Sequence, residues 1–422
     1  MTSGWRLAGQ GAWAIADQAL FALASFLLNL LLARQLGPAE YGVFGVAFTV
    51  FLLVSMAYTT LVLEPLLVFG AGRWRSPFRA YLRQALVLSA AVAACGGVVL
   101  WAGSILVTVR SDTAPLAPLL RTLIWAAPCI VLQWTMRRAT YVHGRPDIAA
   151  TGGTIYLVAL LGVANLVQMY GALDARMAFV IMAAVSVVVA AFLAWRLVSV
   201  LPRDGADPSA DPPARPTVWR AHWGFGRWAL AGAVVGWLAT DIFYLVLAPQ
   251  HGFAAVGKVR AAFNLVLPVI HVLTALSTVA LPHFAAAHRR GGMHRSIVLF
   301  WGGLNGLAAA YALVLWLASD VLVVFLYGET FRVILPLVTV FGLLPLAAAT
   351  SAAFATVLRA MERPRDVFVA SAIAAVVGAA IGVPATVVFA GMGAVSAIVL
   401  NAAVYSAALA WRLRRTGARA TA

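Results

Sequence analysis

Apolar runs of 18 or more residues, separated by short charged or turn-rich breaks, recur along the whole chain. Runs of that length read as membrane-crossing helices. Twelve can be marked off: 11–33, 42–69, 85–107, 116–136, 148–171, 175–198, 226–248, 256–282, 296–318, 333–358, 367–390 and 392–411. Only Gly391 separates the last two, and the stretch from Asp320 to Glu329 is apolar enough to prolong the ninth. The first run exceeds a signal-peptide core and is followed by many more, so it reads as a retained first helix.

Composition agrees with that pattern. Of 422 residues, 63 % are AVILMFWYC and 10 % are charged, against roughly 45–50 % and about 25 % in soluble domains. A water-soluble enzyme and a disordered or fibrous chain are both excluded. The net charge of +16 is carried by 29 arginines and the single Lys258. Because these lie between apolar runs, their expected partner is the phosphate of membrane lipids and not nucleic acid. Cys95 and Cys129 both sit inside apolar runs, which leaves no basis for a disulfide framework or a metal cluster.

Basic residues alternate with the spans. Both termini and the even-numbered connections hold 23 of the 30, among them Arg73, Arg75, Arg79, Arg83, Arg289, Arg290 and Arg295. The other seven are Arg34, Arg110, Arg121, Arg176, Lys258, Arg260 and Arg332. A missed or invented span would scramble this alternation, and the bias predicts that both termini face the cytoplasm.

The chain also repeats itself. Leu32–Phe48 aligns without gaps on Leu247–Phe263 at an offset of +215, Arg145-Pro146 on Arg363-Pro364 at +218, and Ala194–Leu197 on Ala410–Leu413 at +216. The expected architecture is all-α: about twelve transmembrane helices in two pseudo-symmetric six-helix lobes. The lobes are 1–201 and 223–422, joined by a cytoplasmic linker, 202–222, whose Pro202–Pro216 stretch is rich in Pro and Asp. Six spans per lobe give a pseudo-two-fold along the membrane normal, with a pathway expected between the lobes.

A charge at mid-bilayer costs about 2.5–3.5 kcal/mol on insertion scales, so charges there normally serve a purpose. Asp17, Glu64, Arg121, Asp241 and His271 fall inside spans. Asp17 lies a turn or two from the cytoplasmic end. Glu64 is followed by Pro65, which on its own marks a kink. Asp241 shares a face with Trp237 and Tyr244. The clearest constellation is on the eighth span, where Arg260, Asn264, His271, Thr274 and Thr278 fall within an arc of about 80° at 100° per residue. Such a stripe lines a lobe interface or a wet cavity, although Ser, Thr and Asn also serve plain helix packing. The first span carries a narrower stripe of Gln18, Ser25 and Asn29. The fourth puts Arg121, Trp125 and Pro128 on one face.

Other patterns carry no chemistry. Gly252–Val259 imitates a phosphate loop but has Val259 where Ser or Thr would hold Mg²⁺, and no strand precedes it. His283, His288 and His294 lack metal-ligand spacing. No large outer loop gathers acid, base and nucleophile, which argues against a glycosyltransferase or polymer ligase. No enzyme activity and no cofactor are expected.

At Leu31–Phe44 the first helix and its turn resemble the bacterial polysaccharide (O-antigen-type) flippases of the multidrug/oligosaccharidyl-lipid/polysaccharide (MOP) exporter superfamily. Leu326–Phe331 resembles that family's outer turn, and Gly144-Arg145-Pro146 and Glu362-Arg363-Pro364 its two cytoplasmic turns. The resemblance implies a multi-pass protein of the bacterial cytoplasmic membrane that carries lipid-linked glycans outward by alternating access. It implies cavity arginines that hold a diphosphate, for which Arg260 and Arg121 are the expected residues, with Asn264, His271 and Lys258 beside them. Asp17, Glu64 and Asp241 would bind the coupling proton or Na⁺. The implied partners are the lipid-linked glycan, membrane lipids, and a glycan polymerase or glycosyltransferases of the same pathway. A cation-coupled exporter of small organic cations is the alternative, in which the carboxylates outweigh the arginines. A third reading is a scaffold that transports nothing.

Overall fold

The computed structural model describes residues 2–201, 214–290 and 293–420. Helix α1 (Thr2–Tyr58) runs through a π-helical turn (Thr59–Leu63) into α2 (Glu64–Ala71). It is followed by α3 (Phe78–Leu106), α4 (Leu116–Val142), α5 (Pro146–Met169), α6 (Ala175–Val200) and α7 (Arg215–His251). Then come α8 (Phe253–Asn264), α9 (Leu267–Arg290), α10 (His294–Tyr327), α11 (Leu335–Phe341), α12 (Leu344–Ala360) and α13 (Pro364–Ala420). No strand occurs among the described residues, so the expected all-α membrane fold is borne out.

Among the described residues, nine helical stretches are long and apolar enough to cross a membrane. A tenth forms if α8 and the start of α9, bent by 47°, count as one span. Two of the nine are hairpins, which recovers the twelve expected segments. Gly9–Ala71 has 63 residues, roughly 95 Å if straight at 1.5 Å per residue, against a hydrocarbon core of about 30 Å. It breaks at Gly37 (φ 71°, ψ 172°). Phe21 and Phe51, on opposite sides of the break, both pack on Trp134 with ring centroids 6.2 and 5.9 Å away. The arms are therefore antiparallel. Helix α13 breaks at Ala390 (φ 52°, ψ −132°). Across that break Gly378 lies against Asn401, Gly382 against Ala397 and Gly393 against Ala385, a pairing that only a doubled-back chain produces. Small residues on both arms let the backbones approach.

The chain forms two compact units, Met1–Leu32 with Ala47–Val234, and Ala33–Val46 with Val235–Ala422. In the first, α4 packs along α3 and α6. In the second, α12 packs along α9, α10 and α13. The tip of the α1 hairpin thus belongs to the second unit, and the division falls within α7. Residues 202–213 of the expected linker lie outside the described residues. Residues 215–222, also expected as linker, are instead the first turns of α7. Val218, Trp219 and Ala221 bury against Leu66, Trp74, Phe78 and Tyr81, and that burial favours a helix over a tether.

The sequence repeat is also a backbone repeat. Gly37 and Gly252, 215 residues apart, share an unusual conformation (φ 71°, ψ 172° and φ 78°, ψ 167°) that is essentially reserved for glycine. At +218, Gly144 (φ 65°) and Glu362 (φ 58°) end their helices alike. Arg145 N–H donates to Thr140 O at 3.0 Å and Arg363 N–H to Leu358 O at 2.9 Å, the Schellman closure that satisfies the last helical carbonyls. Pro146 and Pro364 then open the next helices, where a missing N–H costs nothing.

The two glycine-turned segments also meet each other. A Cβ on Gly42 would fall on the carbonyl of Phe253, and a Cβ on Gly257 on the carbonyl of Pro38. Because Gly42 aligns with Gly257 and Pro38 with Phe253, the contact is the same seen from either side, as a two-fold requires.

Glu362 and Ala390 hold left-handed φ values at a cost of about 1 kcal/mol or more each. Glu362→Gly and Ala390→Gly should each raise the melting midpoint of the detergent-solubilised protein by about 1–2 °C, whereas Gly42→Leu and Gly257→Leu should lower it and reduce the folded yield. Differential scanning fluorimetry measures all four. Stabilisation by either leucine would contradict the backbone crossing.

Candidate functional site

In the first unit, the two intramembrane carboxylates, on α1 and α2, each face an arginine of α4. Asp17 is fully buried. Arg137 donates to it from Nε at 2.9 Å to each carboxylate oxygen, its Nη2 lies 2.7 Å from Oδ2 in an ion pair, and the Tyr141 hydroxyl donates to the same Oδ2. Helical spacing builds the set: Asp17 and Phe21 are one turn apart on α1, Arg137 and Tyr141 one turn apart on α4. The Arg137 guanidinium lies 4.7 Å from the Phe21 ring centroid, so the ring shields one of its faces. Gly153 on α5 keeps the space beside Asp17 Oδ1 open, since a Cβ there would stand 3.4 Å away. Glu64, the first residue of α2, is exposed and within electrostatic reach of Arg138. Consecutive arginines thus answer both carboxylates.

Neither arginine stood out in the sequence, because the fourth apolar run stops at Met136 and both fall in a basic connection. The structure carries α4 on to Val142. The i, i+4 pair Arg137/Tyr141 was the available signal. Asp17, expected a turn or two inside the end of its span, is instead wholly buried and already ion-paired.

In the second unit, α8 carries Arg260, which is 8 % exposed. Its Nη1 donates to Gly45 O at 3.2 Å, and its guanidinium lies 5.6 Å from the Tyr244 ring centroid. Asp241, one turn before Tyr244 on α7, accepts from Thr240 Oγ1 at 2.9 Å and lies within electrostatic reach of Arg260. Asn264 is buried and donates to the Tyr41 hydroxyl at 2.7 Å. Trp237 is buried on the Asp241 side of α7. Arg260, Asp241 and Asn264 are therefore brought into one aromatic-walled cluster with Tyr41 and Tyr244.

The expected stripe along the eighth span does not survive as one face. The 47° bend between α8 and α9 separates Arg260 and Asn264, both buried, from His271, Thr274 and Thr278, all exposed. The latter three bond the carbonyls four residues earlier, at 2.8 Å from His271 Nδ1 to Leu267 O, 2.8 Å to Ile270 O and 3.0 Å to Thr274 O. Polar side chains that bond their own helix need no cavity. Lys258 is half-buried on α8, and Arg121 is exposed on α4 in the first unit. Among the described residues no group of His, Cys, Asp and Glu is placed to hold a metal ion.

The Asp17–Arg137 pair has a measurable consequence. Removing one partner of a buried ion pair costs about 3–5 kcal/mol, more than removing both. Arg137→Ala should therefore lower folded yield and melting midpoint more than Asp17→Asn combined with Arg137→Leu does. A double variant that is worse than Arg137→Ala would mean that the two side chains act independently.

No family model and no curated protein matches the sequence; the fold has close counterparts. An inward-facing multidrug resistance MATE family transporter of the MOP superfamily superposes with a TM-score of 0.75 at 14 % identity, covering 97 % of this chain and 99 % of that one. The lipid II flippase MurJ in an inward closed conformation gives 0.71 at 12 %, covering 96 % and 87 %. A MOP superfamily transporter from Pyrococcus furiosus, described as having a binding pocket of reverse polarity, gives 0.66 at 14 %, covering 97 % and 96 %. The chain is a multi-pass helical membrane protein with the fold of the MOP-superfamily transporters.

Proposed function

We propose that this protein is a transporter of the bacterial cytoplasmic membrane that flips lipid-linked oligosaccharide or polysaccharide precursors by alternating access, gripping the anionic head at Arg260. The observation that carries the reading is the company its intramembrane carboxylates keep. Asp17 is bound to Arg137, and Glu64 and Asp241 lie within reach of Arg138 and Arg260. An organic cation would have to displace an arginine to find a carboxylate. A diphosphate needs only to compete with one carboxylate for a guanidinium, whose paired donors suit phosphate geometry.

In this cycle, a proton or Na⁺ taken up by Asp241, or by Asp17 or Glu64, weakens the carboxylate's hold and leaves the arginine to the substrate. Arg121 and Lys258 add surplus positive charge, Asn264 fixes the Arg260 neighbourhood through Tyr41, and His271 stands on the far side of the bend. A glycan polymerase or glycosyltransferases of the same pathway would be the protein partners. Lipid II is the cargo named for one structural neighbour, which supports a lipid-linked substrate on this fold.

The alternative, export of small organic cations, draws on the multidrug transporters among the neighbours and on the exposure of Glu64. Proteoliposomes with a fluorescent lipid-linked oligosaccharide diphosphate, and separately with a fluorescent organic cation, distinguish the two. The wild type should move the glycan lipid, Arg260→Ala should slow it at least about tenfold, a loss of roughly 1.4 kcal/mol, and Arg260→Lys should recover part. Glycan-lipid movement unchanged in Arg260→Ala would overturn the assignment. Cation export that depends on Glu64 and Asp241 would replace it with the alternative.

A further inference from the structure

Helix α7 is longer than its membrane crossing requires, and its surplus turns are unlike the rest of it. Its 37 residues rise roughly 55 Å at 1.5 Å per residue, while about 20 residues cross the hydrocarbon core. Counting back from the turn at Gly252, the residues up to about 231 lie in the headgroup layer and beyond. This surplus is not loose. Val218 and His222 are buried, and Gly226 sits where a Cβ would strike the backbone at Leu61. These three positions, each four residues apart, fasten one face of the helix to the first unit.

Among the described residues nothing covers the opposite face. Arg220, Trp223, Gly224, Arg227 and Trp228 are all exposed, Trp228 at 73 % and Trp223 at 56 %. At 100° per residue Arg220, Trp223 and Arg227 fall within an arc of about 60°. Gly224 lies about 40° beyond Arg220 on the same wheel and between Arg220 and Arg227 along the axis, and a Cβ there would meet nothing within 4 Å. By helical spacing the face is a notch of bare backbone at Gly224, with Arg220 about one turn before it, Arg227 about one turn after it, and Trp223 and Trp228 to its sides. Arg227 lies 5.5 Å from the Trp228 ring centroid. The acidic residue of α7 is Asp241, about 20 Å further along at the same rise, so no carboxylate of this helix competes for the notch.

We propose that this notch is a binding site for an anionic phospholipid, whose phosphate sits over Gly224 between Arg220 and Arg227 while its upper chains run along Trp223 and Trp228. Arginine supplies the anion-binding forks, and Trp is the side chain that partitions to the membrane interface. An amphipathic surface with aromatic and basic residues at the headgroup level binds in proportion to buried apolar area and to the anionic charge of the lipid. The occupant is a lipid and not a free phosphate, because the indoles flank the guanidiniums and the helix reaches the hydrocarbon about one turn beyond Arg227 and Trp228. The site is independent of what the transporter carries.

Native mass spectrometry on the full chain in detergent tests it, with phosphatidylglycerol, phosphatidylcholine and sodium pyrophosphate as probes. Phosphatidylglycerol should form more adducts than phosphatidylcholine. Arg220→Gln with Arg227→Gln should reduce those adducts several-fold, and Gly224→Leu, which keeps both charges but fills the notch, should reduce them as well. The exposed pair Arg414→Gln with Arg415→Gln should leave them near wild type. The inference is overturned if the two lipids bind equally, if the control pair loses as much as the notch pair, or if Gly224→Leu binds as wild type. It is also overturned if pyrophosphate displaces phosphatidylglycerol at equal concentration, which would make the notch a site for a soluble anion. The melting midpoint of each variant, read alongside, separates lost binding from lost folding.

Discussion

A helix that breaks inside a membrane leaves carbonyls that no water can satisfy, and each such group costs several kcal/mol unless the protein supplies a donor. This fold breaks helices repeatedly, and at two of the breaks a particular side chain supplies the donor. Pro65 cannot donate to Leu61 O; His222 Nδ1 takes that carbonyl at 2.8 Å, and its Nε2 pairs with the Tyr81 hydroxyl at 2.8 Å. Where α8 ends, Leu265 N–H turns to Ala262 O. The freed Ala261 O receives the Tyr327 hydroxyl at 3.1 Å, and Leu265 O the Tyr311 hydroxyl at 2.6 Å. Tyrosines of α10 therefore make the bend tolerable, and the bend in turn separates buried Arg260 from exposed His271.

The same constraint explains the intramembrane charges. An isolated carboxylate among apolar side chains would take a proton or unfold its surroundings. Asp17 is not isolated: Arg137 and Tyr141 reach it from one face of α4. The ion pair does not require water, a cavity or a ligand to persist.

What was legible in the sequence follows from what repeats. Hydropathy marked twelve segments because each is long and apolar enough to cross a bilayer, and the hairpins at Gly37 and Ala390 change only how those segments are joined. The duplication was legible because Gly37 and Gly252, and the Gly144 and Glu362 turns, impose backbone geometry that few residues meet. Three features were not legible. Arg137 and Arg138 lie beyond the apolar run that defined their span. At the bend Pro268 removes a donor locally, but the tyrosines that satisfy the freed carbonyls lie 46 and 66 residues further along. The helical state of 215–222 depends on a groove built by α2 and α3, which local composition cannot report.

The most informative place in the repeat is where it fails. At +215, Gly45 aligns with Arg260 and Thr49 with Asn264. The Arg260 side chain fills the room its own counterpart leaves, since a Cβ on Gly45 would stand 2.8 Å from Arg260 Cδ, and Arg260 donates back to Gly45 O. Two arginines related by the pseudo-two-fold would need the same space at the crossing, and two glycines would leave it empty. One of each fills it. Duplication alone would produce a symmetric crossing of glycines; replacing one member by arginine gives up that symmetry and places a permanent positive charge in a tyrosine-walled site beside Asp241. Packing alone does not account for a charge held in that way, because a leucine would have filled the same room without the cost of desolvating a guanidinium.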